Sequence, residues 1–267
     1  MDLTGKTALI TGATAESAAP VIRGIAAAGA SLALTGRNAQ RLARVAADLG
    51  LADTALVLPA DLARAEEVER LLDAVRERYG GVDVLVHLAG GWGGGQRLSD
   101  TALADWDAVM ASNLHCAVLV CRGVAGEMAS RGWGRIVAVA GIAAERPRAR
   151  QAAYNVAKAG LVALIASIAE DYKRQGVVAN AISPSIIATD EGRRNSPEAD
   201  HSRWVTPEAI STRFDAWFFL ALAPVHTPPV PDGVETTEAR WFEPQAALDA
   251  HAAGEVVIAF PTVKQLE

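Results

Sequence analysis

The sequence predicts an α/β protein built on a doubly wound parallel sheet, ending in an atypical C-terminal segment. Three observations carry this expectation. Short apolar runs recur along the first 210 residues, helical patterns separate them, and the runs stay apolar instead of alternating with polar residues. Strands buried on both faces read this way, and burying both faces requires helices on each side of a parallel sheet.

The first run, TALIT at Thr7 to Thr11, is followed by the loop TGATAESAAP, which opens a helix running toward Gly29. SLALT at Ser31 to Thr35, ALVL at Ala55 to Leu58 and VDVLVHLA at Val82 to Ala89 come next. RIVAVA at Arg135 to Ala140 and VVANAI at Val177 to Ile182 complete six expected strands. Between the last two, Leu161, Leu164, Ile165 and Ile168 fall at i, i+3, i+4 and i+7, the spacing of a helix that buries one face. A sheet of this kind binds ligands beyond the carboxyl ends of its strands. The loop after the first strand is where backbone amides and a helix N-terminus suit a dinucleotide's pyrophosphate.

Composition narrows the class. Of 267 residues 51% are hydrophobic and 21% charged, which excludes a disordered chain. Lysine plus arginine number 25 against 31 aspartate plus glutamate, a net charge of −6, and that sign argues against nucleic acid as a partner. No unbroken apolar run reaches the length of a membrane span, so no membrane partner is expected. MDLTGKTALI has no basic n-region or long apolar h-region, so no signal peptide is expected. Cys116 and Cys121 lie in an apolar stretch, a placement that suits buried thiols and a reduced cytoplasm better than a disulfide framework. His87, His115, His201, His226 and His251 show no metal-ligand spacing. No metal is expected.

The C-terminal segment differs from the rest. All five phenylalanines, Phe214, Phe218, Phe219, Phe242 and Phe260, fall after position 213, and APVHTPPVP reads as a stiff linker. A boundary near 210 divides the chain into 1–210 and an appended 211–267. Ile210, Phe214, Trp217, Phe218 and Ala221 form a helical stripe ended by Pro224, with an extended strand over the same aromatics as the alternative. The β-branched run Glu255 to Phe260 is suited to pair with Val177 to Ile182 and cover that edge.

Read together, TGATAESA, GRN, PADLA, HLAGG, SNL, GRIVAVAG, YNVAK and ISPSIIAT resemble, in order and spacing, the short-chain dehydrogenase/reductase (SDR) family, from about Leu3 to Ile210. The resemblance implies a Rossmann-like sheet and hydride transfer between a nicotinamide and a carbonyl or alcohol. Tyr154 would be the general acid, Lys158 would lower its pKa and hold the nicotinamide ribose, and Asn113 would hold a water in the proton relay. Tyr154 and Lys158 are four apart, hence on one helix face. The pairing makes chemical sense, because a phenol near pKa 10 exchanges protons poorly at neutral pH unless a cation stabilises its anion. Thr11, Gly12 and Ser17 would serve the phosphates, Asp61 the adenine edge, Ala89 with Gly90 the floor of the adenosine ribose, and Thr189 the nicotinamide amide. Arg37, following Gly36, favours NADP(H) over NAD(H) through the 2′-phosphate. The partners implied are a small-molecule substrate and, by family resemblance, a homo-oligomer.

The chain also departs from the pattern. Glu16 and Ala18 stand where the family's loop has glycines, and Ser185 stands where a glycine usually follows the proline. The family's serine lies thirteen residues before the tyrosine, and here that position is Gly141, preceded by Ala140. Losing one such donor lowers rate by about a hundredfold to a thousandfold. Glu16 has two readings, a carboxylate favoured by the helix dipole or one that points into the cofactor's pocket and repels it. Trp92, in the glycine loop GGWGGGQ, is an aromatic suited to cover a substrate or mere loop filler. From Trp204 onward the chain resembles the C-terminal portion of Nudix hydrolases, but the glutamate-rich metal box of that family is absent from the sequence, so no Nudix hydrolysis is expected. Three functions follow: an impaired NADP(H)-dependent oxidoreductase, a non-catalytic Rossmann-like binding protein, or a recombined fusion chain without selected activity.

Overall fold

In a computed structural model the described residues are 2–195 and 198–209. Six strands, β1 (Thr7–Thr11), β2 (Ser31–Leu34), β3 (Leu56–Val57), β4 (Val84–His87), β5 (Gly134–Val139) and β6 (Val177–Ile182), form one sheet in the order β3-β2-β1-β4-β5-β6. Every pairing is parallel. The helical stripe from Ile210 to Ala221, the segment Glu255 to Phe260 and the Nudix-like stretch lie outside the described residues, apart from 204–209 of that stretch.

The sheet is doubly wound because successive residues of each strand face opposite sides. Leu9 and Leu85 join Leu71, Val120 and Leu161 from helices α3 (Ala65–Tyr79), α5 (Cys116–Ser130) and α6 (Ala152–Tyr172). Ala8, Ile10 and Val86 join Val21, Ile22 and Leu42 from α1 (Ala18–Ala27) and α2 (Ala39–Asp48) on the other side. Burying one such leucine or isoleucine contributes about 1.5–3 kcal/mol. Leu161, Ile165 and Ile168 are buried as the helical stripe predicts.

Local chemistry sets the helix ends. The Asn38 side chain accepts the Arg41 N–H at 2.8 Å and starts α2. Helix α3 carries Glu66 and Glu67 in its first turn and Arg76 and Arg78 in its last, matching the helix dipole. The expected lack of any membrane-length apolar stretch needs correction: Leu103–Ser130 and Ala152–Gln175 are helical stretches of 28 and 24 residues, each containing an 18-residue window of mean hydropathy 1.5. Alanine, glycine and valine interspersed with single polar residues raise the average without making an unbroken run. In both stretches apolar side chains, Val120 and Leu161 among them, lie in the core on the sheet.

Beyond β6 the chain returns over the sheet's carboxyl end. Ile187 and Val205 form a parallel bridge, with the Ala188 N–H donating to Val205 O at 2.7 Å. Thr189 and the short helix α7 (Asp190–Asn195) are thereby held beside the loop that follows β1.

Candidate active site

A cleft of about 780 Å³ lies along the carboxyl ends of β1, β2 and β4. Its volume is in the range of small-molecule and cofactor pockets. Gly12, Glu16 and Ser17 line it from the loop after β1, Gly36 and Arg37 from the loop after β2, and Asp61 from the loop after β3. Ala89, Gly90, Trp92 and Thr189 complete the sequence-predicted lining. Gly12 is required here. Its φ is +64°, and a Cβ on it would stand 2.7 Å from Ala89 N, so only glycine lets this loop lie against the end of β4.

Thr11 behaves differently from its predicted role as a phosphate contact. It is fully buried, and its hydroxyl belongs to an internal chain beneath the cleft. The Ala89 N–H donates to Thr11 Oγ1 at 3.3 Å, and the buried Thr11 hydroxyl hydrogen finds its acceptor, among the described residues, in His87 Nδ1 at 3.0 Å. His87 therefore carries its proton on Nε2, 3.7 Å from Cys116 Sγ, and the Cys116 thiol donates to Ser112 O at 3.1 Å. Each donor has one acceptor, so the chain assigns the tautomer. Burial, with the Lys158 charge adding to it, holds the His87 pKa down to about 3, and burial pushes the Cys116 and Cys121 thiols up to about 11 and about 12. Both cysteines are buried free thiols. His115 is exposed and the His201 ring lies tilted against Trp204, while His226 and His251 lie outside the described residues.

Tyr154 and Lys158 share one face of α6. Lys158 is buried, its Nζ lies 5.7 Å from the Tyr154 ring centroid, and it donates to Val139 O at 3.1 Å. A Cβ on Gly90 would lie 3.2 Å from that Nζ, which places the lysine directly behind the wall of the cleft. Burial lowers the Lys158 pKa to about 8. Tyr154 departs from expectation, because burial raises its pKa and no opposing effect of the lysine is resolved. The Lys158 ammonium is bonded to a main-chain carbonyl, not to the phenol.

Asn113 sits in a π-helical turn, Ala111–His115, between α4 (Leu103–Met110) and α5. Its amide hydrogens go to Gly91 O and Val109 O, both at 3.0 Å, and its Oδ1 accepts the Gly91 N–H at 3.1 Å. The side chain thus ties the glycine loop to the π turn, and a relay water would have only the remaining lone pair of Oδ1.

The other predicted residues divide in the same manner. Asp61 Oδ1 accepts the Ala63 N–H at 3.2 Å, and Thr189 Oγ1 accepts the Gly192 N–H at 3.0 Å, so both also shape their own loops. Ser17 makes no side-chain cap to α1. Arg37 is joined at the mouth by Arg41, which the sequence reading missed. Its spacing of four from Arg37 at the start of a helix is the signal that would have found it. Among the described residues neither guanidinium is in an ion pair. At the other end Glu16 Oε2 accepts the Asp190 N–H at 2.5 Å, bridging the β1 loop to the start of α7.

These features define a doubly wound nucleotide-binding fold with a Tyr–Lys pair behind the cleft at the carboxyl end of its sheet. The chain belongs to the short-chain dehydrogenase family, whose description matches residues 6–200, and it is an oxidoreductase of that nicotinamide-dependent type. It is 32% identical over 208 residues to D-beta-hydroxybutyrate dehydrogenase of Rhizobium meliloti (strain 1021), covering 77% of this chain and 80% of the relative. It is 33% identical over 211 residues to D-threitol dehydrogenase of Mycolicibacterium smegmatis, again covering 77% and 80%. Among solved structures, a variant of actinorhodin polyketide ketoreductase with NADPH superimposes with a TM-score of 0.74 at 27% identity, covering 81% of this chain and 92% of the other. Levodione reductase superimposes with a TM-score of 0.74 at 26% identity, covering 80% and 91%.

Proposed function

We propose that the protein is an NADP(H)-dependent oxidoreductase acting on a small ketone or secondary alcohol. The observation that carries this reading is the placement of Lys158 Nζ, 5.7 Å from the Tyr154 ring and against the Gly90 wall of the cleft. Relatives named for hydroxybutyrate and threitol support a small oxygenated substrate. When bound, the nicotinamide supplies or accepts the hydride. Tyr154 gives its hydroxyl proton to the carbonyl oxygen, Lys158 stabilises the resulting phenolate and binds the nicotinamide ribose, and Asn113 connects the pair to water. Gly12 and Ser17 hold the phosphates, with Thr11 supporting the floor from beneath. Asp61, Ala89 and Gly90 receive the adenosine, and Thr189 meets the nicotinamide amide.

The preference for NADP(H) rests on Arg37 and Arg41, which line the mouth beside Gly36 and suit a 2′-phosphate better than ribose hydroxyls. Trp92, 67% exposed on the glycine loop, covers the substrate. Leu103 on α4 and Val156 on α6 are 81% and 48% exposed, and a second copy of the chain would cover them. Residues 211–267 form an appended segment without Nudix hydrolysis, and the compartment is the cytoplasm.

The test is reduction of a small ketone by NADPH, followed by loss of NADPH absorbance. Wild type turns over slowly and Tyr154→Phe does not; equal rates in the two proteins would remove Tyr154 from the mechanism. A second reading, a nucleotide-binding protein without turnover, is favoured by Gly141 at the place of the substrate's hydroxyl donor. It predicts NADPH binding with no Tyr154-dependent rate.

A further inference from the structure

Glu16 joins two segments that face one another across the cleft. It lies at the N-terminal approach to α1, and its Oε2 accepts the main-chain N–H of Asp190, the first residue of α7. Glu16 and Ser17 line the cavity on one side and Thr189 on the other, so the bond spans the opening between them. We propose that Glu16 is a gate on the dinucleotide site, which the ligand's diphosphate must displace before the nicotinamide half can seat.

The inference rests on the reading of this cleft as a dinucleotide site, and the chemistry then follows from charge and space. A diphosphate seeks the amides of a loop that opens a helix. Here a carboxylate is attached to that loop, with an anion's charge and an acceptor oxygen already placed on an amide of the facing segment. A diphosphate entering the same space meets both the side chain's volume and its negative charge, in a cleft where the low-dielectric walls weaken screening. The side chain is half-buried at the edge of the cleft and turns about its own rotatable bonds, so an entering ligand can push it outward. The cost appears as a lower affinity for ligands that carry a diphosphate.

The other end of the cleft is free of this effect. Arg37 and Arg41 stand at the mouth beside Gly36, on the loop after β2, and a 2′-phosphorylated adenosine with no diphosphate seats there without reaching Glu16. Glu16 is therefore a specificity-determining residue: it separates ligands by what they carry at the 5′ position, not by their adenosine.

Calorimetric titration of wild type, Glu16→Gln and Glu16→Gly with NADPH and with adenosine 2′-monophosphate tests the gate. Glutamine keeps the size and an acceptor but loses the charge; glycine removes all three. The affinity for NADPH is expected to rise about tenfold or more in Glu16→Gly and by less in Glu16→Gln, while that for adenosine 2′-monophosphate stays within about twofold. Hydrogen exchange at the Asp190 amide is expected to quicken in Glu16→Gly. An unchanged NADPH affinity in both variants, or NADPH bound by none of the three proteins, overturns the gate. So does an equal gain for both ligands, which would report a general charge effect. Failure of all three proteins to bind adenosine 2′-monophosphate instead overturns the reading of the cleft as an NADP(H) site, a result separate from the ratio that judges Glu16.

Discussion

Gly141 faces the hydroxyl of Tyr154: a Cβ built on Gly141 would stand 3.7 Å from the phenol oxygen. A serine here would bring a hydroxyl to the place where a carbonyl oxygen must sit to take the tyrosine proton. The backbone opposes it, since Gly141 has φ +151°, a conformation that L side chains rarely adopt. Gly141→Ser therefore has two expected effects. Turnover of a test ketone rises about tenfold or more from the added donor, and stability falls by about 1–3 kcal/mol from the strained backbone. Gly141→Ala is the control, with the same loss in a urea titration and no gain in rate. If Gly141→Ser gains nothing while remaining folded, the missing hydroxyl does not limit the reaction.

Arg37 and Arg41 line the cleft together, so the proposed preference for NADP(H) would divide between them. Arg37→Glu is expected to reverse the ratio of NADPH to NADH affinity by repelling the 2′-phosphate. Arg41→Ala should shift the ratio in the same direction by about tenfold or less. Competitive binding of the two nucleotides to each variant measures both ratios, and a ratio unmoved by Arg37→Glu would rule out its contact with the phosphate.

Much of the fold was legible because it rests on local pattern. TALIT and the VLVH within VDVLVHLA are mostly apolar and are buried at every position, as strands covered on both faces must be, and the stripe Leu161, Ile165, Ile168 faces the core. Tyr154 and Lys158 were legible as a pair because four residues on a helix place two side chains on one face. What was not legible depends on partners distant in the chain or on dihedral angles. Glu16 and Asp190 are 174 residues apart, and nothing near Glu16 indicates that its carboxylate crosses the cleft. The commitment of Thr11 to His87 requires β1 and β4 to be neighbours, which their register establishes by setting Thr11 opposite His87. The positive φ of Gly141 is equally silent, since glycine permits many conformations and specifies none.

In the role proposed for it, Lys158 sets stability against function. Its folded pKa, about 8, lies below the usual 10.5, because burial disfavours the ammonium. The folded state thus binds fewer protons than the unfolded chain between those values, and the stability present above 10.5 is lost as pH falls through 8. At neutral pH the penalty is present in full, on the order of 3 kcal/mol. Lys158→Met keeps most of the volume without the charge. It is expected to raise the urea midpoint at pH 7 while weakening NADPH binding and abolishing turnover. A lower midpoint would mean that the bond to Val139 O outweighs the cost of burial.

His87 has the same sign and a different window. Its pKa of about 3 in the folded state against 6.5 in the free side chain means that only the unfolded chain takes up a proton between those values. The stability it contributes is complete above 6.5 and is lost as pH falls toward 3. Between pH 7 and pH 5 this one group should remove about 2 kcal/mol. His87→Asn cannot titrate in this range, so its stability should fall less over the same interval, by about that amount. The substitution also breaks the chain from Ala89 through Thr11 to Cys116, which lowers stability at pH 7 by about 1–3 kcal/mol where a buried group loses its partner. The two effects separate in urea titrations at both pH values: the absolute stabilities report the broken chain, and their difference reports the proton. An equal pH dependence in the two proteins would show that His87 does not remain neutral in the folded state, and the Nε2 tautomer assigned from its partners would fall with it.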